Sequence, residues 1–67
     1  MKLKDKKTLN EIINMGYEFI GYAGYSKGTY AVFGKENENI YMAKYDKNTY
    51  ICMRRYVAGK EGEEWKN

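Results

Sequence analysis

Thr8-Leu9-Asn10-Glu11-Ile12-Ile13-Asn14-Met15-Gly16-Tyr17-Glu18-Phe19-Ile20 contains the change of hydrophobic period on which the fold turns. Thr8 and Glu11 have the spacing of a capping box, in which the threonine oxygen accepts from the Glu11 amide while the glutamate reaches back. Leu9, Ile12 and Ile13 fall at i, i+3 and i+4 and make one apolar stripe. Gly16 suits the left-handed position that closes a helix, and Tyr17 can pack back on Ile12 in a Schellman closure. The pattern predicts a helix over about residues 6–15, preceded by a charged lead-in at 1–5.

After Gly16 the period changes to two. Four runs rich in aromatic and β-branched residues follow: Tyr17–Tyr25, Thr29–Lys35, Asn39–Tyr45 and Thr49–Val57. Between them lie Ser26-Lys27-Gly28, Glu36-Asn37-Glu38 and Asp46-Lys47-Asn48, all short polar turns. The expected fold is α+β, one N-terminal α-helix packed on a four-stranded antiparallel β-meander. It forms a single small domain over residues 1–67, with 58–67 a charged tail. That tail carries the only tryptophan, Trp65, which either folds back over an apolar sheet face or docks on another subunit.

Hairpins with three-residue loops set the expected register. One face then collects Phe19, Val32, Ile40, Met42 and Cys52, ringed by Tyr17, Tyr25, Tyr30, Tyr50 and Tyr56. This is the expected core under the helix. The opposite face collects Ile20, Tyr22, Ala31, Phe33, Tyr41, Ala43, Tyr45, Ile51, Met53 and Arg55. It is too apolar for a solvated sheet face, which should alternate with polar residues. A slip of one residue exchanges the two sets.

Composition narrows the function classes. A chain of 67 residues buries a marginal core and commonly adds a disulfide, a metal or self-association. The single cysteine excludes an internal disulfide, and the lack of histidine argues against a metal site, so no metal or cofactor is expected. The formal charge of +3 is dispersed rather than gathered into a basic stripe. No segment reads as a membrane span or a signal peptide, and a lone thiol suits a reducing cytoplasm.

Several motifs have a bland reading beside a functional one. Lys27-Gly28-Thr29-Tyr30-Ala31-Val32-Phe33 has the basic-glycine-aromatic order of some RNA-binding strands, but Thr29 and Ala31 stand where aromatics are needed. Gly21-Tyr22-Ala23-Gly24 has the spacing of a phosphate clamp that normally joins two helices. Inside a strand, such glycines more often mark a bulge. Arg55 is either a partner anchor or a solvated arginine. Cys52, mid-strand and without a histidine base, reads as a buried, inert thiol. Glu36 and Glu38 in a turn, and Glu61, Glu63 and Glu64 in the tail, lack the cleft that a catalytic pair needs. The tail acids could contact a basic partner.

Leu9-Asn10-Glu11-Ile12 with Gly16-Tyr17-Glu18-Phe19-Ile20 resembles the helix-to-strand junction of a family of small bacterial domains of unknown function. Tyr17 stands where that family has tryptophan, and the resemblance implies a local fold and no activity. In size, lack of catalytic residues and helix-plus-meander layout the chain is also similar to small phage proteins that block host defence complexes, including some anti-CRISPR proteins. Its many Lys, Asn, Ile and Tyr residues fit an AT-rich genome.

The reading that follows is a non-enzymatic, cytoplasmic protein-binding module. Its partner is another protein or a second copy of itself, met through Tyr22, Phe33, Tyr41, Tyr45, Met53 and Arg55. A phage or mobile-element inhibitor of a host complex is its most concrete form. The alternative is a single-stranded RNA or DNA binder using the same face, with bases stacked on the rings and cations on phosphates. No membrane and no small-molecule substrate is indicated.

Overall fold

The computed structural model describes residues 1–58 and the backbone of 63–65. Its elements are β1 (Lys6–Thr8), α1 (Leu9–Asn14), β2 (Glu18–Tyr25), β3 (Gly28–Lys35), β4 (Glu38–Lys44), β5 (Thr49–Val57) and β6 (Glu63–Trp65). Strands β2 to β5 form the expected antiparallel meander. The four-stranded α+β expectation is nonetheless corrected. The molecule is mostly antiparallel sheet, five strands in the order β1-β5-β4-β3-β2 with one short helix, and β6 also pairs β5. Lys6–Thr8, expected in a helix, pairs instead with Thr49–Ile51. The lead-in is tied down as well: Lys4 donates to the Cys52 carbonyl at 2.8 Å, and Met1 and Leu3 pack against the core.

The helix begins and ends as its sequence requires. The Glu11 amide donates to Thr8 Oγ1 at 3.2 Å and the Thr8 amide to Glu11 Oε1 at 2.8 Å, completing the capping box. At the other end Gly16 has φ +96°, a conformation that side chains disfavour. The Gly16 amide donates to Ile13 and the Tyr17 amide to Ile12, which is the Schellman pattern. Lys35 adds a charged cap by donating to the Met15 carbonyl at 2.7 Å. The closure brings Tyr17 and Ile12 into the core, both buried.

That core is Ile12, Tyr17, Ala31, Phe33, Ile40, Met42 and Cys52. Ile40, Met42 and Cys52 were expected there; Phe33 and Val32 have changed places. The turns explain it. Tyr25 pairs with Gly28 and Lys35 with Glu38, so the first two loops have two residues rather than three. Glu36 (φ +54°), the first residue of the second loop, supplies the positive φ that such a tight turn needs, and Gly28 (φ +141°) opens β3 just past the first loop. The shorter turns slip β3 by one residue and turn Phe33 under the helix. Val32, although buried, faces away from it beside its register partner Tyr41.

Two bulges complete the correction. Ile20 is the extra residue where Phe19 opposes Phe33 but Gly21 opposes Val32. Met53 is the extra residue where Tyr41 opposes Arg54 but Met42 opposes Cys52. Each bulge inverts the alternation along the rest of its strand. Tyr22 and Arg55 thus join the helix side, while Tyr25, Arg54 and Tyr56 take the other.

Among the described residues no helix is long and apolar enough to cross a membrane. The expected acidic contact at Glu61, Glu63 and Glu64 and the side chain of Trp65 lie outside the described residues. The Trp65 backbone pairs with Arg54.

A core this small leaves little margin. Stability of about 3–10 kcal/mol is ordinary for a chain of this length. Removing a buried phenylalanine ring costs about 3–5 kcal/mol. Phe33→Ala is therefore expected to abolish the cooperative thermal transition seen by circular dichroism. Thr8→Ala, which removes one half of the capping box, should cost only about 1 kcal/mol and leave a cooperative melt.

Candidate functional site

Two surfaces gather the residues that a partner would use. The first lies on the helix side. Leu9 and Ile13 form one wall and Phe19 and Tyr22 of β2 the other. Ala31 and Phe33 lie beneath, and Tyr50 closes one end. Together they line an open groove of about 310 Å³. It exists because α1 is short: Ile12 faces the core while Leu9 and Ile13, on the flank of the same stripe, are each 46% exposed. Phe19 packs edge-on against both Tyr22 (5.3 Å between ring centres) and Phe33 (5.5 Å), which holds the outer wall upright. Tyr22 is nonetheless 75% exposed.

Among the described residues no charged side chain lines the groove, and the side-chain polar groups there are the Tyr22 and Tyr50 hydroxyls. Its volume is at the low end for a metabolite site, and it lacks the convergent polar groups that orient one. It suits an apolar side chain. Lys44 sits over the Tyr50 ring at 5.0 Å and places a cation at that end.

The second surface is the opposite, helix-free face. Tyr25, Tyr30 and Tyr41 cluster there, with ring centres 5.4 Å apart for Tyr25–Tyr30 and 6.1 Å for Tyr25–Tyr41. The Arg54 guanidinium lies 4.6 Å from the centre of the Tyr41 ring and donates to the Tyr25 hydroxyl. At the far end Lys6 covers Tyr45 at 4.3 Å. The protein thus caps these rings with its own cations.

The six residues expected to share one partner surface are divided. Tyr22 and Phe33 are wall and floor of the helix-side groove. Tyr41 and Tyr45 lie on the helix-free face, and Met53 is the bulged residue of β5. Arg55 points to the helix side, where its Nε donates to Glu38 Oε2 at 2.9 Å. Sequence reasoning assigned Leu9 and Ile13 wholly to the core and so missed them as groove residues. The expected helix over 6–15 hid them: the observed one has six residues and shows little more than one side chain to the sheet.

Cys52 is fully buried, and burial pushes its thiol up to about 11, which leaves it neutral. Glu38 is different. Burial works against its charge, but hydrogen bonds from Arg55 and Tyr17, with the Met1 ammonium at 3.5 Å, outweigh that and hold its carboxyl below the ordinary range. Glu11 is lowered chiefly by the Thr8 amide in the capping box. The Tyr17 phenol is raised by its own burial and then by Glu38 beside it. Glu38, Arg55, Tyr17 and the Met1 ammonium thus form one hydrogen-bonded, ion-paired network.

No protein-family model, curated protein or solved structure matches this chain. The resemblance at residues 9–20 therefore rests on those residues alone.

Because the Glu38 and Glu11 carboxyls are depressed in the folded state, their contribution is present above the unfolded value of about 4.3. It is lost as pH falls through the lower folded values. Denaturant midpoints should thus fall steeply below about pH 4. Glu38→Gln should lower stability at neutral pH by about 1–2 kcal/mol and flatten that acid slope.

Proposed function

We propose that this protein is a non-enzymatic, cytoplasmic protein-binding module. Its helix-side groove takes an apolar anchor of a partner protein, a leucine, phenylalanine or methionine with an acidic neighbour. One observation carries the reading. Leu9, Ile13, Phe19 and Tyr22, all large and apolar, stand exposed around an uncharged groove whose floor is the rigid core residue Phe33. Aromatic anchors in a desolvated pocket ringed by polar residues are how interfaces gain affinity without chemistry. Lys44 supports the acidic neighbour, because a rim cation steers and orients a partner of opposite sign.

The nucleic-acid reading has less support. The helix-free face has three clustered tyrosines and two cations, but Arg54 lies over the ring of Tyr41, where a base would stack. If that face does bind single strands, affinity should fall steeply with added salt. The phage-type inhibitor remains the most concrete version of a protein partner. It rests on small size and composition, since its architectural likeness was drawn for a helix on a four-stranded meander.

Affinity capture separates these readings. Wild-type protein, Ile13→Asp, Tyr22→Asp and Tyr41→Ala would be used as baits in parallel. A protein retained by wild type and Tyr41→Ala but reduced roughly tenfold or more by both groove variants is the expected result. Retention unaffected by the groove variants and lost with Tyr41→Ala would move the site to the opposite face.

A further inference from the structure

The two margins of the sheet are treated differently. The β5 margin is covered twice, by β1 along Thr49–Ile51 and by β6 along Arg54–Tyr56. The other margin is β2, and among the described residues no strand pairs its outer edge. Proteins usually blunt such an edge with lysine, proline or a covering segment. Phe19–Tyr25 has no charge and no proline. The bulge at Ile20 interrupts its first part and leaves Gly21–Tyr25 in regular pairing with β3.

Gly21-Tyr22-Ala23-Gly24-Tyr25 is self-complementary when laid antiparallel on a copy of itself. A two-fold axis through Ala23 sets Tyr22 opposite Gly24 of the second copy, and the same contact is made twice. The faces agree. Tyr22 and Gly24 pair with Ala31 and Thr29 and share the helix side, whereas Gly21, Ala23 and Tyr25 share the other. An aromatic ring across from a strand glycine covers backbone that the glycine leaves bare. The space is there: a Cβ built on Gly24 would meet nothing within 4 Å. Tyr25 leans inward onto Tyr30 and Tyr41, so the doubled Tyr22–Gly24 pair carries the contact. For a chain of charge +3, an uncharged edge is also where two copies repel least. Pairing about a two-fold axis uses up both edges and closes at two copies.

We infer that the outer edge of β2 is a homodimer edge, two copies joining antiparallel through Gly21–Tyr25 about Ala23 into one continuous sheet. Both helices and both grooves then lie on the same side, and the assembly presents two anchor sites to a partner. This goes beyond the groove reading and stands or falls separately from it.

The test combines sedimentation equilibrium with cross-linking. Wild type and Ile13→Asp should sediment as dimers at high micromolar concentration, the second showing that the groove is not the contact. Ala23→Lys sets like charges against each other and should weaken association by more than roughly tenfold. Tyr22→Lys, at a position 75% exposed, should do the same if Ala23→Lys fails to fold. Ala23→Cys should form a disulfide-linked dimer on mild oxidation, and Tyr45→Cys, at the distant end of β4, should not. The buried Cys52 stays silent in both. A monomeric wild type, a dimer indifferent to Tyr22→Lys, or equal cross-linking at positions 23 and 45 would each overturn the proposal.

Discussion

The packing of Ile12 on Phe33, Ile40, Met42 and Cys52 is the contact on which the rest of the molecule depends. It is held by a helix of only six residues, pinned by the capping box at Thr8 and the Schellman closure at Gly16. Such a helix is about 9 Å long. Five strands spaced about 4.8 Å apart span roughly 19 Å. One helix of this length seals the centre of the sheet and cannot reach its β2 margin. The groove is what remains uncovered, and its lining is apolar because it is the outer part of the same core.

The helix-free face meets the same shortage of cover by other means. Its rings are tyrosines, whose hydroxyls reach water while their faces pack, and Arg54 and Lys6 lie over them. Cations on ring faces supply a lid made from long side chains instead of a second helix. The basic excess of the chain is thus partly structural. The two faces differ in consequence: one is closed by the protein's own charges, the other keeps an open, apolar groove.

Much of this was legible in the sequence. Thr8, Glu11 and Gly16 marked the helix, and three polar breaks separated four strands. The strand Lys6–Thr8 was not legible, because Lys-Lys-Thr shows no alternation. It pairs through its backbone with the β5 edge that faces away from β4. Facing was the larger gap. Two-residue turns at Ser26-Lys27 and Glu36-Asn37 turned β3 over, exchanging Phe33 with Val32. The bulges at Ile20 and Met53 then moved Tyr22 and Arg55 to the helix side. Gly21 hinted at the first bulge; nothing in the run Ile51-Cys52-Met53-Arg54-Arg55 announces the second. Apolar residues on both faces made either facing consistent with the pattern, so hydrophobicity alone could not choose.

The central claim is the one-sided cover: Phe33 sealed under Ile12, with Ile13, Phe19 and Tyr22 open beside it. Proton relaxation by a soluble paramagnetic probe, read residue by residue in solution, tests it directly. The account predicts strong enhancement at the Ile13 methyls and the Phe19 and Tyr22 rings, and little at Ile12, Phe33, Ile40 and Met42. Protection of Ile13 and Phe19 together with exposure of Phe33 would contradict it.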